Sequence, residues 1–348
     1  MVRPGPDTPA TSAVAPPLSY EEQIVRLEQV VDALLPCYGI RSAQRTLLQY
    51  ENNAVYRIVA PDGEPLVARV ATPSGRSAEA QRSEMQWLEW LRRESDLIVP
   101  EPVRNLDGAL VTSITPGGAI EVHPCVVLRW VRGEPPTPGI SPALLERLGA
   151  FTGELHRQAE RFAPPAGFVR PRWDWERLFG ARSILHNEEA MAALAPAQRA
   201  ALEAAGERIR RAFASPAKDA LREGLIHGDL HRDNILIGEG QVGVIDFDDC
   251  GFGYFLFDLA CVLDSFHRRI ATGPADYQRQ REALLRGYDR VRPLPSELDE
   301  YLAIFMAMRD MATVDFILGS KNANVQAWGR ARVAAIIDQL QRRLDSAP

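Results

Sequence analysis

The sequence predicts an α+β protein in two lobes, a β-rich one over residues 19–130 and a mainly helical one over 140–348. Three observations carry this. Between 45 and 131 the apolar residues gather in short, strand-length runs. Val131-Arg132-Gly133-Glu134-Pro135-Pro136-Thr137-Pro138-Gly139 then interrupts the pattern, and its Pro/Gly density reads as a linker over 131–139. Beyond the linker, apolar residues recur at helical spacing in one segment after another, broken by a hairpin-like stretch within 224–258.

Taken in order, residues 1–18 (MVRPGPDTPATSAVAPPL) carry no apolar h-region and are rich in Pro, Thr, Ser and Ala. They read as a disordered tail, not a signal peptide. Ser19 and Glu22 form a capping-box pattern, after which Ile24, Leu27, Val31, Leu34 and Leu35 recur at helical spacing until Pro36 ends the run. Arg45–Tyr50, Ala54–Ala60 and Leu66–Val70 read as strands, the last two joined by the turn Pro61-Asp62-Gly63. Ser77–Glu94 is helical, with Met85, Leu88 and Leu91 as its apolar stripe, and Ala109–Ile114 and Cys125–Val131 are further strands. Past the linker, Ser141 caps a helix that has Pro142 at its first position. Leu144, Leu145, Leu148, Phe151, Leu155 and His156 share one face of it, so His156 reads as a core-edge histidine and not as a ligand. Residues 164–187 are irregular and aromatic (Trp173, Trp175, Phe179); helices are expected at Pro196–Phe213 and near 255–268, 276–289, 296–318 and 325–344.

Composition narrows the function. At 348 residues the chain can bury a substantial core, and 46% apolar with 25% charged residues is ordinary for a globular protein. A net charge of −6 argues against a nucleic-acid-binding surface, and the arginines at 208–211 sit among acidic residues on a solvated helix face. No apolar run approaches the roughly 18–20 residues of a membrane span. Cys37, Cys125, Cys250 and Cys261 are scattered without metal-site spacing and read as reduced, mostly buried thiols in the cytoplasm.

The chemistry lies in GLIHGDLHRDNILIGEGQVGVIDFDDCGFGYFLFD, residues 224–258. Ile235–Ile237 and Val242–Ile245 are apolar runs joined by Gly238-Glu239-Gly240, a hairpin pattern. Asp229 and Asn234 stand five apart before the first strand, and Asp246 follows the second, so the hairpin folds all three toward one point. Such an Asp, an Asn five residues on, and a strand pair ending in a second Asp form the layout of a protein-kinase catalytic loop and metal-binding turn. Phosphoryl transfer needs a positioned oxygen nucleophile and cations over the phosphate oxygens. Asp229 would orient the acceptor hydroxyl and take its proton; Asn234 and Asp246 offer the hard oxygen ligands that Mg²⁺ prefers. The competing reading, turn-forming Asp and Asn in an ordinary hairpin, does not account for three spaced positions agreeing with their flanking strands.

His227-Gly228-Asp229-Leu230-His231-Arg232-Asp233-Asn234, followed by Ile245-Asp246-Phe247-Asp248-Asp249, resembles the aminoglycoside phosphotransferase-like family. The resemblance spans roughly 45–265 and is strongest in 225–260. It implies a two-lobed protein-kinase-like fold, ATP and Mg²⁺ as cofactors, and transfer of the γ-phosphoryl group to a hydroxyl of a small molecule of the aminoglycoside, homoserine or choline-like class. Arg69 in Leu66-Val67-Ala68-Arg69-Val70 stands where the kinase pattern V-A-I-K places its lysine, with Glu84 as partner. Tyr50-Glu51-Asn52-Asn53 takes the place of the phosphate-covering loop, without GxGxxG; Asn52 and Asn53 either reach a phosphate or form an ordinary hairpin turn. The resembling fold meets adenine with backbone groups at the hinge, here Arg129 to Val131.

Other residues complete this reading. Asp258 holds the catalytic loop by accepting backbone N–H groups, His227 packs beneath that loop, and His231 hydrogen-bonds near Asp229. Asp248 and Asp249 either assist the ion or are solvated turn residues. The acceptor pocket is expected around Trp173–Phe179 and the helices after 262. From Asp246 to Asp258 there is no Ser or Thr, and the one hydroxyl is on Tyr254, which suits a tight packed turn better than a phosphorylation switch. Two alternatives stand beside the small-molecule kinase: a serine/threonine protein kinase of the bacterial stress-response type, which has a closely similar motif, and a nucleotide-binding pseudo-kinase module, which has no need of all three motif residues. The oligomeric state is left open.

Overall fold

Ser19 starts the first helix with the expected capping box: its hydroxyl accepts the Glu22 N–H at 3.2 Å, and the Glu22 carboxylate accepts the Ser19 N–H at 2.7 Å. In this computed structural model the described residues are 19–346 except 62, 73–74, 118–119, 182, 215–221 and 321. The expected tail at 1–18 and the turn residue Asp62 lie outside the described residues.

Helix α1 (Tyr20–Leu34) ends in a 3-10 turn that carries Pro36. There follow β1 (Gln44–Tyr50), β2 (Asn53–Val59), β3 (Leu66–Ala71), α2 (Ala78–Glu94), β4 (Pro102–Val103), β5 (Thr112–Ile114) and β6 (His123–Arg129). The strands form one antiparallel sheet in the order β1-β2-β3-β6-β4, with β5 also on β6. Leu27, Val30, Val31 and Leu34 of α1 pack on Tyr56, Ile58, Ala68 and Val70 of the sheet and close a small core of their own.

The second part contains α3 (Pro142–Arg161), β7 (Arg172–Trp173), α4 (Trp175–Phe179), α5 (Glu188–Ala192), α6 (Pro196–Ala214), β8 (Glu223–Ile226), β9 (Ile235–Gly238), β10 (Gln241–Val244), β11 (Gly251–Tyr254), α7 (Phe255–Arg269), α8 (Pro274–Asp289), α9 (Leu298–Gly319) and α10 (Ala323–Ser346). β9 and β10 form a hairpin; β11 lies between β8, antiparallel, and β7, parallel. Helix α9 is apolar on nearly every face because it is enclosed by α7, α10, α6 and α4. This is the β-rich and helical division expected of a two-lobed kinase-like fold.

The first lobe also contributes to the core of the second. The stripe of α2 (Met85, Leu88, Leu91, with Trp87) packs into the large core of the helical part. The linker is tied down as well: Glu134 N–H donates to the Ile237 carbonyl at 3.0 Å and Ile237 N–H to the Glu134 carbonyl at 2.8 Å. All four cysteines are free thiols. No helix among the described residues is long and apolar enough to cross a membrane.

Candidate active site

The catalytic-loop candidate hangs between β8 and the β9–β10 hairpin. Glu239 and Gly240, at φ 51° and 72°, make the two-residue loop of that hairpin, the conformation whose twist matches paired strands. The register runs from Gln241 opposite Gly238 to Val244 opposite Ile235, and Ile245 N–H donates to the Asn234 carbonyl at 2.9 Å. Asp246 therefore leaves the hairpin beside Asn234. Gly228 has φ 80°, and a Cβ there would stand 2.6 Å from both the Asp249 carbonyl and the Trp173 indole nitrogen. Only glycine lets the loop close on the turn after Asp246.

Asp258, fully buried in the first turn of α7, accepts the N–H groups of His227 at 2.8 Å and Gly228 at 2.9 Å. His156 meets the same carboxylate through Nε2 at 3.1 Å, and its Nδ1 meets the Tyr288 hydroxyl at 2.9 Å. His156 is thus not at the core edge: it is fully buried and stacked on Phe255, because two polar partners inside the core satisfy its ring. His227 is also fully buried, its Nε2 3.0 Å from the Ile245 carbonyl. Burial lowers the pKa of both imidazoles against the pull of the nearby Asp258, which keeps them neutral.

Asp229 is held from three sides. Arg309 Nη2 of α9 donates to Oδ1. His231 Nε2 lies 3.3 Å from Oδ2, and Asn234 Nδ2 donates to the Asp229 carbonyl at 3.0 Å and to Oδ2 at 3.4 Å. Burial alone would raise the Asp229 pKa, but Arg309, then His231 and His227, pull it down to about 2. The carboxylate is therefore anionic at neutral pH. It can align a hydroxyl and receive its proton as the new bond forms, but it is a weak store for that proton.

Asp246 adopts φ 62°, ψ 67°, a left-handed conformation that a residue with a Cβ seldom takes. The residue is exposed, though protein atoms and other acids crowd round its carboxylate. That enclosure, with Asp248, Asp229 and Asp249 close by and Arg69 opposing them, raises its pKa to about 7. Among the described residues no group of three or more His, Cys, Asp or Glu side chains is arranged to hold a metal ion. Asn234 and Asp246 do suit Mg²⁺, which commonly takes one or two protein ligands and completes its shell with phosphate oxygens and water. Asp229, Asp248 and Asp249 are each paired with an arginine, and a cation at Asp246 would relieve the repulsion that remains among the four carboxylates.

Arg69 and Glu84 form the expected pair, bidentate and buried: Nη1 to Oε1 is 2.9 Å and Nη2 to Oε2 is 2.5 Å. Asp248, the competing partner, lies 3.8 Å from Arg69 and 4.0 Å from Arg76. The solvated-turn reading of Asp248 is therefore corrected: it is buried among arginines that hold its pKa down against the opposing effect of burial. Asp249 pairs with Arg76. Arg170, unforeseen in the sequence, has a fully buried side chain that donates to the carbonyls of Ala80 at 2.9 Å, Phe247 at 3.3 Å and Cys250 at 2.6 Å, and to that of Asp248. It fastens α2 to the turn that follows Asp246. If Arg69 stands on the phosphate side with its fork held by Glu84, Arg69→Lys keeps the charge but loses the two-pronged hold that fixes it. A charge-assisted hydrogen bond is worth roughly 1.5–3 kcal/mol, so kcat/KM for Mg²⁺-ATP is expected to fall roughly ten- to a hundredfold; an unchanged value in steady-state kinetics would remove Arg69 from the site.

The remaining expected residues are less engaged. The β1–β2 turn is tight: Asn52 accepts Thr72 N–H at 3.2 Å and the Thr72 hydroxyl at 2.8 Å, while Asn53 is buried at the start of β2 and its amide helps hold Asp248 ionised. Asn322, between α9 and α10, donates to the Glu51 carbonyl at 3.3 Å and ties this turn to the helical part. At the hinge, Arg129 N–H is already taken by the Glu101 carbonyl at 2.9 Å, whereas Val131 lies past the end of β6. A cavity of about 630 Å³ beside α3 (Glu94, Phe151, Glu154, Gln241) contains none of these residues. Between Asp246 and α7 the chain makes a 3-10 turn and then β11, which is paired on both sides. That leaves no extended loop.

Known proteins match this chain in sequence and in fold. A sequence profile described as the phosphotransferase enzyme family matches residues 45–294. The amicoumacin kinase of Bacillus subtilis (strain 168) is 25% identical over 244 residues, covering 70% of this chain and 69% of that one. The structure of a microcompartment-associated aminopropanol kinase superposes with TM-score 0.74 at 26% identity, covering 93% of this chain and 98% of that one. The amicoumacin kinase hAmiN in complex with AMP-PNP, Ca²⁺ and Ami superposes with the same TM-score, 0.74, at 20% identity, covering 93% and 96%.

Proposed function

Because the chain belongs to the phosphotransferase enzyme family, we propose that it transfers the γ-phosphoryl group of Mg²⁺-ATP to a hydroxyl of a small molecule. One observation carries the reading: Asp229 and Asn234 are in contact beside the strand end from which Asp246 projects. Asp229 would orient the acceptor hydroxyl; as its oxygen bonds to the γ-phosphorus, the bond to the ADP oxygen breaks and the hydroxyl proton passes to Asp229 and on to solvent. Asn234 and Asp246 would hold Mg²⁺, which when bound neutralises charge on the phosphate oxygens. Arg69, steadied by Glu84, would stand on the phosphate side, and the backbone at Val131 would face adenine.

The names of the relatives support a small acceptor, since aminopropanol and amicoumacin kinases act on small molecules. The paired β11 strand supports it further, because a peptide acceptor would call for an ordered platform in that interval. The free thiols support a reducing, cytoplasmic setting. The test is ADP release from Mg²⁺-ATP across a panel of hydroxylated metabolites, amino alcohols and aminoglycosides. The expected result is acceleration by at least one of them without prior phosphorylation of the protein. Label from ATP passing to a few proteins of a cell extract, with none in metabolites, would favour the protein-kinase alternative instead.

A further inference from the structure

Helix α9 is apolar through most of its length, yet Arg309 and Asp310 stand side by side at its centre. Neighbouring helix positions point about 100° apart, and these two meet different partners. Asp310, 2% exposed, faces α10: Gln339 Nε2 donates to it at 3.1 Å and Arg343 Nε at 2.6 Å, while Arg343 also reaches Asp264 of α7. This buried network sets the rotation of α9 about its own axis. Arg309 is thereby turned to the catalytic loop, where it donates to Asp229 Oδ1. Asn234 and His231 approach the other oxygen, Oδ2, at 3.4 Å and 3.3 Å. With donors on both oxygens, the carboxylate cannot rotate freely about its Cβ–Cγ bond.

We propose that Arg309 is a positioning residue for the acceptor step: it fixes the orientation of the Asp229 carboxylate and supplies the countercharge that lets an anion stand beside nucleotide phosphates. The proposal rests on the phosphotransferase reading above. A carboxylate facing a polyphosphate meets like-charge repulsion, which an adjacent guanidinium offsets without itself accepting a proton. Arg309 thus acts through Asp229 and requires no contact of its own with the acceptor.

A double-mutant cycle tests this, with Arg309→Gln, Asp229→Asn and the double variant assayed for ADP release from Mg²⁺-ATP with water as acceptor, and each checked by thermal unfolding. Arg309→Gln is expected to lower kcat roughly tenfold, the scale of one charge-assisted contact, with KM for Mg²⁺-ATP unchanged. Arg309→Lys should retain part of the lost turnover. In the Asp229→Asn background, Arg309→Gln should cost little more, because residues that act through one another are non-additive. Multiplicative losses in the double variant, or loss through KM alone, would overturn the proposal while leaving the phosphotransferase reading intact. Absence of ADP release from the wild type, with water and with every acceptor of the panel, would overturn both. If Arg309→Gln does not fold, Arg309→Lys carries the same cycle.

Discussion

Asp229→Asn is expected to cut turnover by roughly 10² or more, the range of a general-base contribution, with Mg²⁺-ATP affinity close to wild type. Asparagine keeps the shape and the hydrogen bonds that Oδ1 and Oδ2 accept on one side, but it has no anion to attract the hydroxyl proton. It also leaves Arg309 without its partner. That stability cost should fall below the roughly 3–5 kcal/mol of breaking a fully buried pair, since the two side chains are 18% and 21% exposed. Calorimetric titration with Mg²⁺-ATP separates the effects: a folded variant that binds nucleotide yet turns over slowly locates the loss in the acceptor step. Near-normal turnover would mean that another group receives the proton.

Asp246→Ala is expected to weaken Mg²⁺-ATP binding and activity together, by at least tenfold if one charged metal ligand is worth about 1.4 kcal/mol or more. Asn234→Ala should do the same less severely, because a neutral amide attracts a cation less than a carboxylate does. The sign of the pH dependence follows from the raised pKa of Asp246, about 7. Below that pH the group is protonated and must give up its proton before a cation can bind. Affinity in the wild type should therefore rise as pH increases toward 7 and level off above it. In Asp246→Ala this component of the pH dependence should disappear. Calorimetry between pH 5.5 and 8 checks both points (the range brackets that pKa of about 7); unchanged affinity in the alanine variant would remove Asp246 from the site.

Much of this architecture was legible locally. The capping box at Ser19, the Ser141-Pro142 start of α3, the strand runs and the helices after 255 lie close to their expected bounds, because each rests on patterns that act within a few residues. Two-residue β4 has no such pattern; it exists because Pro102 and Val103 lie along β6. The placement of Asp246 beside Asn234 was legible for the same local reason, since a hairpin of known loop length sets which residues meet at its base.

What local pattern left open involves charge and long-range contact. Arg170 and Arg309 give no signal as sequence: one sits in an irregular stretch, the other in an apolar helix 80 residues after its partner. His156 read as a core-edge residue until the partners that satisfy it, 102 and 132 residues away, were in place. As sequence, Asp248 fits a solvated turn residue as well as an ion ligand, and only the fold, by placing Arg69 and Arg76 beside it, removes the solvated reading. Hydrophobic periodicity and turn chemistry act over neighbouring residues and so can be read along the chain. The ionisation and orientation of a buried carboxylate depend on which cations the finished fold brings within a few ångströms, and that is a property of packing.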